Sequence, residues 1–122
     1  MNRNNMGSQN YHCGLMAEGL AAQMYLARTA ELLGQRTRIA GSEIDMIVRD
    51  ANQTVFVEVK ARRTLSDAAY AVSPRQSRRL AIAAQAWLER EGRLSDDIRF
   101  DVVLVDRLGN SEILENALTF DI

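Results

Sequence analysis

GSEIDMIVRDANQTVFVEVKARR, residues Gly41 to Arg63, is the stretch that decides the fold of this chain. Apolar residues alternate along it in two runs: Ile44, Met46 and Val48, then Val55, Val57 and Val59. Alternation with a period of two is typical of strands that bury one face, so each run is expected to share a face. The segment from Asp50 to Gln53 has the composition of a tight turn. The stretch therefore predicts a hairpin of two antiparallel strands.

Both strands carry charged residues in their middles: Glu43, Asp45, Glu58 and Lys60. Glu58 and Lys60 are two positions apart, which places them on one face, about 7 Å from each other along the strand. If the strands pair, Asp45 comes close to Glu58, and neighbouring carboxylates repel each other unless a cation lies between them. The alternative is a solvated sheet face on which these charges form cross-strand ion pairs.

A divalent metal ion fits the first alternative. Mg²⁺ prefers oxygen ligands and keeps several waters. We therefore predict that the ion is bound by Asp45, Glu58 and the carbonyl of Val59, and that a phosphate oxygen completes the ligand set. Lys60 is then expected to orient a water or to stabilise charge on phosphorus. Glu18 lies on the apolar stripe of a predicted helix, where a carboxylate needs something polar to meet it. We therefore predict a third acid directed inward.

The segments around the hairpin have alternating helical and extended character. The periodicity predicts a helix from Cys13 to Leu33 stopped by Gly34, an edge strand Gln35–Ile39, a helix Pro74–Glu91, a strand Arg99–Asp106 and a tail strand near Glu112–Glu115. The inner stripe of the second helix is expected to be Leu80, Ala83, Ala84, Trp87 and Leu88. The loop of residues 62–73 lacks periodicity and is expected to be mobile. This order predicts an α/β fold with a mixed β-sheet flanked by helices.

Composition sets the class of the protein. With 47% hydrophobic and 25% charged residues, the 122-residue chain resembles ordinary globular domains, and we expect a flexible tail over residues 1–12 and a single domain over 13–122. The lone Cys13 excludes a disulfide within the chain and favours the reducing cytoplasm. No apolar run approaches the roughly 20 residues of a membrane span, so no membrane partner is expected.

A nucleic-acid partner would have to bind a local basic surface, because the formal net charge is −1. Five arginines are candidates for phosphate contacts: Arg62, Arg63, Arg75, Arg78 and Arg79. The alternative for the last three is an ordinary solvated helix face.

The helix glutamate Glu18, then Asp45, then Glu58-Val59-Lys60 resemble the motif of the PD-(D/E)XK nuclease superfamily. The segments GLMAEGLAAQMYL, GSEIDMIV, VFVEVKARR and FDVVLV resemble the YraN family of uncharacterised proteins, relatives of archaeal Holliday-junction resolvases. The resemblance covers about Gly14 to Val105. Two positions depart from it: Ser42 stands where relatives typically have glycine, and Gln76 where lysine is common.

The resemblance implies a restriction-endonuclease-like fold with an α-β-β-β-α-β core. It also implies a nuclease that acts on structured, branched DNA with Mg²⁺ or Mn²⁺. Glu18, Asp45, Glu58 and Lys60 take the metal and catalytic roles, with Glu43 as an additional acid. Gln76 is expected to face the sheet and to position a water or a phosphate. The alternative is a nucleic-acid-binding or protein-interaction module with little turnover, and a homodimer is left open.

Overall fold

The computed structural model describes residues 3–118, with side chains from Gly14 onward. Its elements are α1 (Arg3–Ala27), β1 (Glu31–Ile39), β2 (Ser42–Asp50), β3 (Gln53–Ala61), α2 (Leu65–Tyr70), α3 (Pro74–Arg90), β4 (Ile98–Val105) and β5 (Ser111–Leu114). The strands form one sheet in the order β1-β2-β3-β4-β5, in which β3 and β4 are parallel and the other neighbours antiparallel. The predicted mixed α/β sheet is confirmed, with β1 at an edge.

Helices cover both faces of the sheet. One core cluster joins Ala21 and Tyr25 of α1 to Val55 and Val57 of β3. The second joins the predicted stripe of α3 to the opposite face, where Phe56 contacts the Trp87 ring edge-on with ring centroids 5.7 Å apart. All five predicted stripe residues of α3 are buried. Because both faces are covered, the chain has the three-layer arrangement in which a mixed sheet is buried.

The first helix ends at Ala27, so its predicted extension to Leu33 is wrong. Thr29 has a φ of 65°, its N–H donates to the Leu26 carbonyl at 3.0 Å, and the Ala30 N–H donates to the Tyr25 carbonyl at 3.1 Å. These bonds form a Schellman ending, which usually carries glycine at the left-handed position. Because threonine occupies that position, the sequence lacks the glycine that usually indicates the end of a helix.

Gly34 lies inside β1 and does not stop a helix. It follows a register shift in the pairing of β1 with β2, and a Cβ there would come 2.8 Å from Thr37 Oγ1. The helical spacing of Leu15 and Leu26 predicts that both face the core, but both are exposed, and the buried face of α1 is formed instead by Ala17, Ala21 and Tyr25.

α1 begins at Arg3, earlier than the predicted Cys13. The flexible tail over residues 1–12 stays a prediction, and Met1, Asn2 and residues 119–122 lie outside the described residues. Among the helices of residues 3–118, none combines the length and the apolar character needed to cross a membrane.

Two tight turns shape the hairpins around β2. Ala40 and Gly41 join β1 to β2, and Ala51 and Asn52 join β2 to β3, all four with positive φ. Such two-residue turns match the twist of antiparallel strands. The segment of residues 62–73, expected to be an aperiodic loop, instead contains the short helix α2, whose N-terminus is capped by Thr64 Oγ1 accepting from the Asp67 N–H at 3.0 Å.

Candidate functional site

The site begins where β2 separates from β3. The last pair in their ladder is Met46 with Val57. Beyond this pair, the N–H of Val59, two positions after Val57, donates to Oδ2 of Asp45, the neighbour of Met46, at 2.8 Å. The carboxylate therefore occupies the place of a backbone acceptor, which fixes Asp45 in the gap between the two strands.

The strands are also irregular on the other side of Asp45. The pairing of β1 with β2 passes from Gln35–Met46 to Thr37–Ile44, and the intervening Arg36 has a φ of 49°. The alternation of β2 itself is also interrupted, between Ile44 and Met46. Ile44 packs in the core cluster beneath α3, whereas Met46 packs beneath α1. The prediction that these two residues share a face is therefore wrong, because period-two alternation assumes a regular strand.

Three carboxylates converge at this point. Glu18 of α1 and Glu43 and Asp45 of β2 each place an oxygen within 4.8 Å of the others. We call these residues the acidic triple. Glu58 is adjacent on β3, where its Oε1 pairs with Lys60 Nζ at 3.0 Å. The structure thus brings together all four acids and the lysine that the sequence singled out, and it places Glu43 in the compact set while Glu58 pairs with Lys60.

The electrostatics of the triple favour a cation. Burial, and then the charge of Glu58, raise the pKa of Asp45 to about 7, although the Val59 N–H acts in the opposite direction. Burial also raises the pKa of Glu18, against the charge of Arg36. The pKa values of Asp45 and Glu18 are raised because water is partly excluded from both and because neighbouring carboxylates are negative. An all-oxygen, partly buried set of acids fits a hard divalent cation.

The raised pKa of Asp45 predicts a pH dependence. Between pH 4 and pH 7 the folded state holds a proton that the unfolded state has released, so the contribution of Asp45 to stability falls as the pH rises through this window. Without divalent cations, Asp45→Asn should flatten this fall, because asparagine cannot ionise. Urea unfolding at pH 5, 6, 7 and 8 measures it. If the free energy of unfolding changes equally with pH in both proteins, the raised pKa of Asp45 is contradicted.

A cleft adjoins the acids. Glu43, Glu58, Gln76 and Arg79 line an open cavity of about 290 Å³ between the hairpin and the start of α3. The predicted position of Gln76 facing the sheet needs a correction, since its side chain is exposed. Gln76 nevertheless lines the same cavity as Glu43 and Glu58.

The five predicted phosphate-binding arginines, Arg62, Arg63, Arg75, Arg78 and Arg79, are all exposed, and of these Arg79 lines the cleft. The structure also places Arg107 next to Arg63, because the Arg107 N–H donates to the Arg63 carbonyl at 3.4 Å. Sequence reasoning missed Arg107 because it follows β4, and only the parallel pairing of β3 with β4 brings the ends of those strands together. The available signal was the helix Pro74–Glu91 predicted between these strands, because parallel strands need a long crossover connection.

Arg36 is a second residue that the sequence did not indicate. Its Nε lies 3.7 Å from Glu18 Oε2 and 3.5 Å from Glu43 Oε1. Arg38 Nε lies 3.7 Å from Glu43 Oε2. The edge strand β1 thus delivers positive charge to the acidic triple.

A separate polar cluster lies at the other end of β2. Arg99 donates to Asp101 through Nε at 2.9 Å and to Asp50 through an Nη at 2.7 Å. The Tyr25 hydroxyl donates to Asp101 at 2.7 Å, and Arg28 donates to Asp50 at 2.8 Å. Within residues 14–118, no buried side-chain nitrogen or oxygen lacks a hydrogen-bond partner. The cluster is therefore a satisfied structural network that ties α1 to the sheet.

Comparison with known families identifies the chain. The profile of a family described as uncharacterised protein family UPF0102 matches residues 17–105, which span the acidic triple and Lys60. This chain belongs to the UPF0102 family. The predicted YraN family is this family, so that prediction is confirmed.

Two relatives show the extent of the similarity. A UPF0102 protein from Bradyrhizobium sp. strain BTAi1 is 46% identical over 96 residues, which cover 78% of this chain and 71% of the relative. Another, from Roseobacter denitrificans, is 40% identical over 114 residues, which cover 93% of this chain and 88% of the relative. The similarity thus extends over most of the domain described above.

Proposed function

We propose that this chain is a metal-dependent nuclease of the PD-(D/E)XK superfamily with a restriction-endonuclease-like fold, and that it hydrolyses phosphodiester bonds in branched DNA. The observation that carries the proposal is the acidic triple, with carboxylate oxygens within 4.8 Å of one another beside the Glu58–Lys60 pair. Acids this close are costly in a metal-free protein, and a divalent cation offsets their repulsion.

The chemistry of the donor set fits Mg²⁺ or Mn²⁺. Bound here, such an ion would supply positive charge for the phosphate and lower the pKa of a water. Asp45 is the best-fixed ligand, because the Val59 N–H holds one of its oxygens. Glu18 and Glu43 are the partners nearest to it. Glu58 and the Val59 carbonyl, the other ligands expected from the sequence, flank the same gap on β3.

Lys60 has the properties of a charge-stabilising group. Its side chain is 8% exposed and its ammonium is held 3.0 Å from Glu58. A buried, positioned cation acts on developing charge more strongly than a solvated one, because little water screens it and it need not reorganise during the reaction. We assign Lys60 to the negative charge that develops on the phosphate oxygens.

The surface around the site suits a polyanion. Arg79 lines the cleft. The other exposed arginines lie on α3 and directly after β3, and Arg107 is bonded to the segment after β3 through the Arg63 carbonyl. Such side chains contact phosphates without reading bases. This supports binding to DNA shape, as a branched substrate requires, although the net charge of the chain is −1.

The deciding experiment combines cleavage with melting. Branched, nicked, single-stranded and duplex DNA are incubated with the protein in Mg²⁺ or Mn²⁺, and the melting temperature is measured with and without the metal. We expect cleavage of branched DNA, and a melting temperature that rises because the ion binds only the folded state. Asp45→Asn is the matched control and should lose both effects.

Other outcomes separate the alternatives. Binding of branched DNA without cleavage under either metal would support the nucleic-acid-binding module in place of the nuclease. No cleavage, no DNA binding at low salt and no change in melting temperature would contradict both functions.

A further inference from the structure

Arg36 has an unusual backbone for its position. It lies in the middle of β1 with a φ of 49°, in the left-handed region that non-glycine residues other than asparagine and aspartate rarely adopt. An unfavourable conformation persists only where the surrounding structure holds it, and such positions cluster at functional sites. The position opposite Arg36 on β2 is Asp45, a member of the acidic triple.

The side chain of Arg36 lies against the other two members of the triple. Its Nε is 3.5 Å from Glu43 Oε1 and 3.7 Å from Glu18 Oε2. Both distances exceed the roughly 2.7–2.9 Å of a charge-assisted hydrogen bond. The guanidinium side chain is 42% exposed, so solvent screens both pairs. These are weak contacts between one positive charge and two acids.

We propose that Arg36 is a resident cation of the acidic triple, which holds Glu18 and Glu43 together in the metal-free protein and releases them when a divalent cation binds. This inference rests on the proposed function, since it assumes that the triple is the metal site. Arg36 and the metal ion compete for the same carboxylates, so Arg36 lowers the metal affinity that the triple alone would have.

The physical argument is one of charge and reach. A single guanidinium cannot neutralise three carboxylates, and its Nε lies 3.5–3.7 Å from oxygens of two of them. A doubly charged ion at about 2.1 Å from its oxygens gains more from each acid than Arg36 does. The Arg36 side chain is 42% exposed, so water can solvate its guanidinium when the ion binds, whereas the anchored Asp45 stays in place.

The test is calorimetric titration of the metal-free protein with Mg²⁺, comparing Arg36→Asn with wild type. Asparagine tolerates positive φ, so this change removes the charge without adding backbone strain. Arg38→Asn is the matched control, because Arg38 is 87% exposed and pairs only loosely with Glu43. From the strength of exposed ion pairs, we expect Arg36→Asn to bind Mg²⁺ about three- to tenfold more tightly and Arg38→Asn to change the affinity by less than about twofold.

A second readout observes Arg36 directly in the wild-type protein. The Nε–H resonance of Arg36, assigned by its loss in Arg36→Asn, should shift in proportion to Mg²⁺ occupancy, while that of Arg38 moves less. This measurement keeps the test informative if the asparagine variant folds poorly.

The outcomes distinguish this inference from the proposed function. If wild type binds Mg²⁺ but Arg36→Asn binds it no more tightly, or the Nε–H resonance stays still, Arg36 is not a displaced cation and the nuclease proposal survives. If wild type shows no heat with Mg²⁺ or Mn²⁺, the metal site itself is overturned, and this inference with it. Equal tightening in the Arg36 and Arg38 variants would reduce the effect to general surface charge and would also overturn the proposal.

Discussion

Replacing Lys60 with methionine is expected to lower the cleavage rate at saturating DNA by about 100- to 1000-fold, the usual effect of losing one group that stabilises transition-state charge. Methionine keeps most of the volume of the buried stem and removes the ammonium. Because the Lys60 side chain is only 8% exposed, it contributes little to counterion release, so DNA affinity should change by less than about twofold.

The matched control for Lys60 is Arg79→Met. Arg79 is exposed and lines the same cleft, so its loss should weaken DNA binding and reduce the salt dependence of binding by about one unit while leaving the rate at saturating DNA near wild type. The two variants therefore separate a catalytic role from a binding role. A Lys60→Met protein that cleaves at the wild-type rate would remove Lys60 from the chemistry.

Folding of the Lys60 variant has its own control, because Glu58 loses its partner at 3.0 Å. The double variant Lys60→Met with Glu58→Gln removes both charges and should recover stability lost in the single variant. Cleavage should stay low in the double variant, and only its stability serves as the control because Glu58 is itself a proposed ligand. Recovery of cleavage together with stability would show that Lys60 acts only by keeping the fold intact.

The parts of the fold that sequence reasoning predicted are those with a clean period. The hairpin and the buried stripe of α3 follow from periods of 2 and 3.6, which burial enforces. The end of α1 was not predicted, because Thr29 occupies a position where glycine is the usual signal. The helix α2 was not predicted, because six residues are too few to show a helical period.

The site was predictable only as far as local geometry reaches. The closeness of Asp45, Glu58 and Lys60 follows from a hairpin register, and the inward direction of Glu18 from a helical wheel. The position of Arg107 follows from strand pairing, and that of Arg36 follows from strand pairing and from its left-handed backbone. A local sequence pattern encodes neither feature. The face of Ile44 was predicted wrongly because the alternation of β2 is interrupted between Ile44 and Met46, and a local pattern assumes that it is continuous.

The other large effect lies in the buried network, far from the chemistry. Arg99→Met should destabilise the protein by about 3–5 kcal/mol, the usual loss when one partner of a buried ion pair is removed. Arg99 is the cation that Asp101 and Asp50 share, and Asp101 is 0% exposed. Burial, and then the hydrogen bond to Asp101, also raise the pKa of Tyr25, so the tyrosine stays a donor and cannot substitute for the lost charge.

Arg49→Met is the control for that change, because Arg49 pairs with Asp96 at 3.2 Å in a partly exposed position and its loss should destabilise by about 1 kcal/mol or less. Urea unfolding measures both changes. If the dependence of the free energy of unfolding on urea concentration is the same in all three proteins, the midpoints report stability.

Asp50 and Asp45 are five positions apart on β2, about 17 Å along a strand. Folded Arg99→Met should therefore bind Mg²⁺ as wild type does. If Arg99→Met unfolds at the wild-type midpoint, the network does not hold α1 to the sheet. If it folds but loses Mg²⁺ binding, the two ends of β2 are coupled and the acidic triple depends on contacts beyond its own residues.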